Sequence, residues 1–360
     1  MIAKVFKKAI FGSVFGFKKP VHLILHVTSH CNARCGMCFV WRRLNKDKDL
    51  TLGEIGKIAK TLNNLVFLDI SGGEPFLRDD LDQILATFAR YSPGAYVNLP
   101  TNGLLPEKIK KKTGEILQKT NLPISLNLSL DGLEKTHDRI RGVKGCFKKV
   151  LLTYKGLTKI KTGYSRLSLK VATVITNQNL AELENLADFV KKEMPEVDFH
   201  TLILFRGEPP DKSFRLPPLS ELEEKKLLFV KIWQDYGYGK NLGWLGSKVA
   251  NVSHLYLLDL YLKTLTEKKM VLPCLAGLAH AVIFANGDLA LCELRKPLGN
   301  LRKVDFDFER LWSSKEAEKQ RKEITQNSCF CTNGCNWTDN VFFNLKNYPA
   351  LTQELIRSFC

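Results

Sequence analysis

The sequence predicts an α/β fold: short strands alternating with helices along a parallel sheet or incomplete barrel, then a small cysteine-bearing terminal region. Three observations predict it. Between Pro20 and Gly207, six short apolar runs are separated by stretches of helical periodicity, which is a repeated βα unit. Runs such as LVFLDI and HTLILF are near-continuously apolar, as parallel strands buried on both faces should be. The cysteines gather at two places, Cys31, Cys35 and Cys38 near the start and Cys274, Cys292, Cys329, Cys331 and Cys335 near the end.

Taken in order, residues 1–19 place Ile2, Val5, Phe6, Ala9, Ile10, Val14 and Phe17 at helical spacing, with lysines on the other side. This basic amphipathic helix suits an anionic membrane surface, Phe11 and Phe15 widening its apolar face; packing on the protein's own barrel is the alternative. Strands are expected over His22–Val27, Val66–Ser71, Ala95–Pro100, Ile124–Leu130, Leu167–Ile175 and Phe199–Phe205. Helices are expected over Thr51–Asn63, Asp80–Tyr91, Pro106–Thr120, Phe147–Lys161 and Asn179–Glu193. Four prolines within Pro209–Pro218 stop regular structure and mark a boundary. Helical patterns follow over Ser220–Tyr236 and Ser247–Glu267. The expected units are residues 1–19, a barrel over 20–208, a Pro-rich linker with bridging helices over 209–268, and a terminal domain over 269–360.

Composition narrows the function. The 360 residues, 44% of them hydrophobic, are enough for a sizeable core, which excludes general disorder. The formal net charge of +17 suits an anionic partner, whether lipid, phosphorylated molecule or acidic peptide. Nucleic acid is disfavoured, because the lysines spread along helices without interleaved aromatics. Ten cysteines are too few for a disulfide-built secreted scaffold of this length, and their clustering implies metal sites in a reducing compartment. Lysines interrupt any signal-peptide core, and the longest apolar stretch, Met270–Ala285, contains Pro273 and His280. The expected location is the cytoplasm, with residues 1–19 offering peripheral contact to the inner membrane face.

The first cluster reads H-C-N-A-R-C-G-M-C-F, a Cx3Cx2C spacing directly after the first strand. Three thiolates on one loop suit a single metal centre, and three rather than four leave one coordination position open. A three-cysteine zinc knuckle with a distant fourth ligand is the bland alternative. This spacing at this place resembles the radical S-adenosylmethionine (radical SAM) superfamily, and the chain is identified as a member of it. The resemblance implies a partial (β/α)6 TIM-like barrel and a [4Fe–4S] cluster on Cys31, Cys35 and Cys38. It also implies S-adenosyl-L-methionine on the open iron, cleaved by one electron to a 5′-deoxyadenosyl radical that abstracts hydrogen from substrate.

Further motifs fit the same resemblance. Gly72, Gly73 and Glu74 after the second strand resemble the motif that meets the methionine amino group, and glycines at a strand end permit close backbone approach. Thr101 and Asn102 end the third strand beside the expected cofactor. Ser129 and Asp131 end the fourth and face its ribose or carboxylate. Arg141 suits the carboxylate through its forked guanidinium, an ion pair with Asp138 or Glu134 being the alternative. Met37 stands where the family commonly has an aromatic residue whose main chain meets the adenine, and Phe39 offers the apolar contact.

In the terminal region, Cys274 and Cys292 bracket AHAVIFANGDLALCE, which reads as a hairpin around Asn286-Gly287. With Cys329, Cys331 and Cys335 this resembles the SPASM and twitch extensions of radical SAM enzymes. The resemblance implies one auxiliary [4Fe–4S] cluster on Cys274, Cys292, Cys335 and one of Cys329 or Cys331; a zinc held by the same cysteines is the alternative. Cys146 reads as a packed thiol and Cys360 as free.

The expected function is a radical SAM oxidoreductase-like enzyme that oxidises, crosslinks or epimerises a small-molecule, sugar or lipid-linked substrate. A ribosomal peptide is the alternative substrate, and an RNA-binding protein or zinc-stapled scaffold the alternative class. A flavodoxin or ferredoxin would supply electrons. Position alone makes Arg206, Glu208, Asn177 and Gln178, just past the sixth and fifth strands, candidates to face substrate.

Overall fold

The computed structural model describes residues 2–46, 48–236, 243–326 and 329–357, so Cys360 lies outside the described residues. Six parallel strands form the barrel: β1 (His22–Thr28), β2 (Phe67–Gly72), β3 (Tyr96–Thr101), β4 (Ile124–Ser129), β5 (Leu167–Ile175) and β6 (Phe199–Leu204). Their crossover helices are α2 (Leu52–Thr61), α3 (Leu81–Tyr91), α4 (Pro106–Lys119), α5 (Glu134–Arg141), α6 (Cys146–Lys161) and α7 (Leu183–Glu193), numbered after the N-terminal α1 (Ile2–Phe15). Leu23, Leu25 and Val27 of β1 face the helical layer, while His22 and His26 face the barrel interior with Asp69 of β2 and Lys170 of β5, all buried. Every strand lies within a residue of its expected bounds. The unforeseen helix is α5, whose sequence EKTHDRIR is almost wholly polar and buries only His137 and Ile140.

The sheet does not end at β1. The terminal hairpin, β7 (His280–Ile283) and β8 (Asp288–Ala290), adds through β7 as a parallel neighbour of β1, and β9 (Gly299–Asn300) completes the order β6-β5-β4-β3-β2-β1-β7-β8-β9. Arg302, just past β9, fixes the join. It donates to both carboxylate oxygens of Glu54 (2.7 and 2.9 Å) and to the Asp49 and Asn286 carbonyls (2.9 and 3.2 Å). Glu54 is also the far half of a capping box with Thr51 that starts α2.

The remaining segments pack onto this frame. The Pro-rich stretch is not a simple linker: it folds back, Asp211 N donating to Gly36 O (3.2 Å) and Phe214 packing with Met37, Ile140 and Phe205. Proline forbids regular ladders, not packing. The terminal region is mostly helical, with α11 (Phe308–Trp312), α12 (Lys315–Thr325), α13 (Gly334–Phe342) and α14 (Tyr348–Arg357) following α8 (Leu219–Glu224), α9 (Lys226–Asp235) and α10 (Gly243–Glu267). Helix α1 packs Val5 and Ala9 against Val66, Phe67 and Phe343, so its inner face does cover the barrel's own strand starts. No helix among the described residues is long and apolar enough to cross a membrane.

Asp339 of α13 enters the barrel between two histidines, 2.9 Å from His22 Nδ1 and 2.8 Å from His280 Nδ1, and His22 Nε2 lies 3.2 Å from Asp69. Burial alone would push His22 down, but the two carboxylates outweigh it and hold His22 well above its ordinary value. His22 is therefore a buried imidazolium between Asp339 and Asp69. Asp339→Ala leaves that charge with one partner and is expected to cost about 3–5 kcal/mol in urea unfolding. The sign for pH follows. A raised folded value stabilises fully below the unfolded value of roughly 6.5 and is lost as pH climbs through the raised one. The stability advantage of the wild-type protein over His22→Gln should thus shrink from pH 6 to pH 9; an advantage independent of pH would refute the imidazolium.

Candidate functional site: the cysteine loop at the barrel mouth

The loop leaving β1 carries Cys31, Cys35 and Cys38, each half-buried at the C-terminal ends of the parallel strands. Its backbone is pinned from two sides. Arg34 N donates to Arg141 O (3.1 Å) and Gly36 N to Ile140 O (3.0 Å), tying it to the end of α5. Gly142, left-handed at φ 65°, lets that end close in; a Cβ there would lie 2.4 Å from Arg34 O. Burial pushes the Cys31 thiol up to about 11 and Cys38 up to about 12, so without a bound cation these thiols stay protonated.

From the other side comes the end of β2. A Cβ on Gly73 would sit 2.0 Å from His30 O, and one on Gly72 2.2 Å from Thr28 O. These glycines allow close approach to the chain's own backbone at the end of β1 and in the cysteine loop. Glu74, 2% exposed, accepts from Thr101 Oγ1 (2.9 Å), the Asn102 amide (2.7 Å) and the Phe76 amide (3.2 Å). Burial outweighs these bonds and pushes Glu74 up to about 7. Asn102 Nδ2 in turn donates to Asn32 Oδ1 (2.7 Å), inside the cysteine motif. Gly72, Gly73, Glu74, Thr101 and Asn102 therefore form one knot with the cysteine loop.

The remaining expected residues are placed less simply. Asp131 is fully buried and takes Arg141 Nε at 2.6 Å, so these two satisfy each other; Arg141 Nη1 also reaches Cys35 Sγ at 3.8 Å. Arg141's partner is neither Asp138 nor Glu134. Ser129 is half-buried at the end of β4. The Met37 side chain lies in the Phe214 cluster, and Phe39 lies beneath Arg206, whose guanidinium is 4.5 Å from its ring centre. Arg206 itself is half-buried against Glu293 (3.4 Å), while Glu208 is exposed and paired with Arg42 (2.9 Å). Asn177 holds the Pro-rich segment through Arg215 N and Ser213 O, and Gln178 accepts from Arg139. Of the four positional candidates to face substrate, the structure thus engages each with the chain itself. Cys146 is packed, as expected, and contacts His137 Nε2 at 3.2 Å.

At the terminal cluster, Cys274 and Cys292 are buried, Cys331 is half-buried and Cys329 exposed. Burial, then neighbouring Cys292, Cys331 and Cys329, pushes Cys274 up to about 12. Cys335 differs: its sulfur turns into the barrel and donates to Asp69 (3.2 Å), whereas the expectation grouped it with Cys274 and Cys292. Among the described residues no three His, Cys, Asp or Glu side chains surround one ion position; each thiolate of a cubane cluster takes a different iron, so the sulfurs need not meet at a point. The donor sets fit such clusters, being soft thiols on chain segments fixed by backbone contacts. Sequence reasoning missed Asn32, His26, Glu293 and Asn333; only adjacency to a cysteine marked Asn32 and Glu293.

Comparison with known proteins agrees with this geometry. The radical SAM superfamily profile matches residues 25–190, and that of the SPASM iron–sulfur cluster-binding domain residues 274–336. An uncharacterized protein of Methanocaldococcus jannaschii, MJ0907, is 30% identical over 61% of this chain and 74% of its own length. The AdoMet-dependent heme synthase of Methanosarcina barkeri is 25% identical over 76% of this chain and 74% of that protein. The subtilosin biosynthesis protein AlbA of Bacillus subtilis is 26% identical over 49% of this chain and 38% of its own. Among solved structures, Streptococcus suis SuiB bound to its precursor peptide SuiA superposes with TM-score 0.61 at 20% identity, over 87% of this chain and 69% of that one. The chain belongs to the radical SAM superfamily. It is an enzyme of the branch with a SPASM domain, using S-adenosyl-L-methionine, a [4Fe–4S] cluster and an auxiliary [4Fe–4S] cluster, and the zinc-scaffold alternative gives way.

Gly73→Ala is expected to force the His30 carbonyl away, costing roughly 1–3 kcal/mol in overpacking and releasing iron from the first cluster. Iron per chain and thermal midpoint check it; Gly53→Ala, in α2 where a Cβ meets open space, should lose no iron and leave the midpoint unchanged or slightly higher.

Proposed function

We propose that the enzyme abstracts hydrogen from an unreactive carbon of a peptide substrate, in an oxidation, crosslinking or epimerisation. When bound, the cluster and S-adenosyl-L-methionine supply the 5′-deoxyadenosyl radical for that step. The chain's residues hold the site in shape: Glu74 ties the ends of β2 and β3 to the cysteine loop, Arg141 steadies Cys35, and Phe214 closes over Gly36. Cys31, Cys35 and Cys38 are the proposed ligands of the first cluster. The observation that carries the peptide reading is likeness to AlbA in sequence and to peptide-bound SuiB in fold. The charge of +17 adds support, since it suits an acidic peptide. The second reading, a small molecule, is favoured by the heme synthase likeness.

Co-expression with each short open reading frame beside the gene decides between them by mass spectrometry. The expected outcome is a mass change on one peptide that vanishes in Cys31→Ser. No altered peptide, with 5′-deoxyadenosine released only when a tetrapyrrole is added, would select the small molecule.

We also propose that the outer face of α1 rests on an anionic bilayer. Phe6, Ile10, Phe11, Val14 and Phe15 are between 40% and 69% exposed on that one helix, and no Asp or Glu precedes Asp47. Wild-type protein should float with phosphatidylserine vesicles and not with phosphatidylcholine alone, and Phe11→Glu/Phe15→Glu should lose flotation. Equal flotation of both proteins would overturn the assignment.

A further inference from the structure

One buried carboxylate is shared by segments from both domains. Glu293, directly after Cys292, has a side chain only 2% exposed. Its Oε1 accepts from His26 Nε2 of β1 (3.2 Å), and its Oε2 meets Arg206 Nη2 past β6 (3.4 Å) and Asn333 Nδ2 (3.4 Å). Three N–H groups converge on it, one of them on the Arg206 cation, which is the setting of a paired carboxylate. Arg206 reaches the first cysteine loop as well, stacking over Phe39, the residue after Cys38. Asn333 starts α13 and accepts from Cys335 N (3.2 Å), and Thr332 beside it donates to Phe205 O (3.0 Å). The Arg206 guanidinium and the Glu293 carboxylate, 3.4 Å apart, thus stand between the two cysteine segments, Arg206 over Phe39 on one side and Glu293 beside Cys292 on the other.

We infer that Arg206 and Glu293 are positioning residues that set the reduction potential of the auxiliary cluster while tying its loops to the first cysteine loop. This rests on an iron–sulfur cluster occupying the terminal cysteines. A buried charge near a cluster acts with little screening, and cluster potential follows local charge and hydrogen bonding. A nearby cation favours the reduced cluster and an anion the oxidised one, so the two residues pull in opposite directions.

The test uses the full chain carrying Cys31→Ser/Cys35→Ser/Cys38→Ser, which leaves the auxiliary cluster alone, reconstituted anaerobically and titrated by electron paramagnetic resonance. Iron is counted first: about four per chain is expected, and none would overturn both the auxiliary-cluster reading and this inference. With iron retained, Arg206→Gln should lower the midpoint, Glu293→Gln raise it, and the double variant fall between. Arg206→Lys, which keeps the charge, should stay near the parent. Shifts of the same sign in both single variants, or no shift with iron intact, would refute the inference. Should Arg206→Gln lose its iron, the Glu293→Gln and Arg206→Lys midpoints still decide the sign.

Discussion

The mouth of the barrel depends on how closely the end of β2 lies against the loop leaving β1. Side chains at 72 and 73 would overlap the Thr28 and His30 carbonyls, so glycine there is a steric requirement. Once the two backbones meet, Glu74 lies where it can accept from the end of β3, and Asn102 can reach back to Asn32. Three strand ends and three thiols are then fixed by one set of contacts, and the radical chemistry inherits its geometry from backbone packing.

Charge inside the barrel follows a second logic. His22, Asp69, Asp339 and His280 are buried, as is the Glu293 side chain, Arg206 is half-buried, and each is placed against an opposite or complementary group. Buried ions are costly unless paired, and what they return is register more than stability. Here the pairs join β1 and β2 to α13, and β6 to the segment after β8. Terminal region and barrel are held together by these ionic contacts, which couples the integrity of one to that of the other.

How far this was legible in the sequence depends on what kind of contact is involved. Strands β1 to β6 were readable because parallel strands buried on both faces leave contiguous apolar runs. The Cx3Cx2C loop and Gly72-Gly73-Glu74 were readable because their chemistry is contiguous. The Asp131–Arg141 and Arg206–Glu293 pairs were not, since each joins residues far apart whose partners no local pattern names. Helix α5 hid behind its polarity, and the stretch around Phe214 was concealed by its prolines, which signal irregular backbone without saying where it packs. Cys335 shows the limit of spacing: it belongs to a cysteine string, yet its sulfur faces the barrel interior.

The parallel addition of β7 to β1 has a consequence for how such a chain tolerates being divided. A domain boundary drawn through the polypeptide between barrel and terminal region would not pass between two closed bodies; it would split a single sheet down its middle. The barrel half would then present β1 as a raw edge of unpaired amides and carbonyls beside its most reactive loop, the kind of edge that recruits foreign strands. Strand addition has thereby made the accessory module a structural guard for the strand that bears the first three thiols.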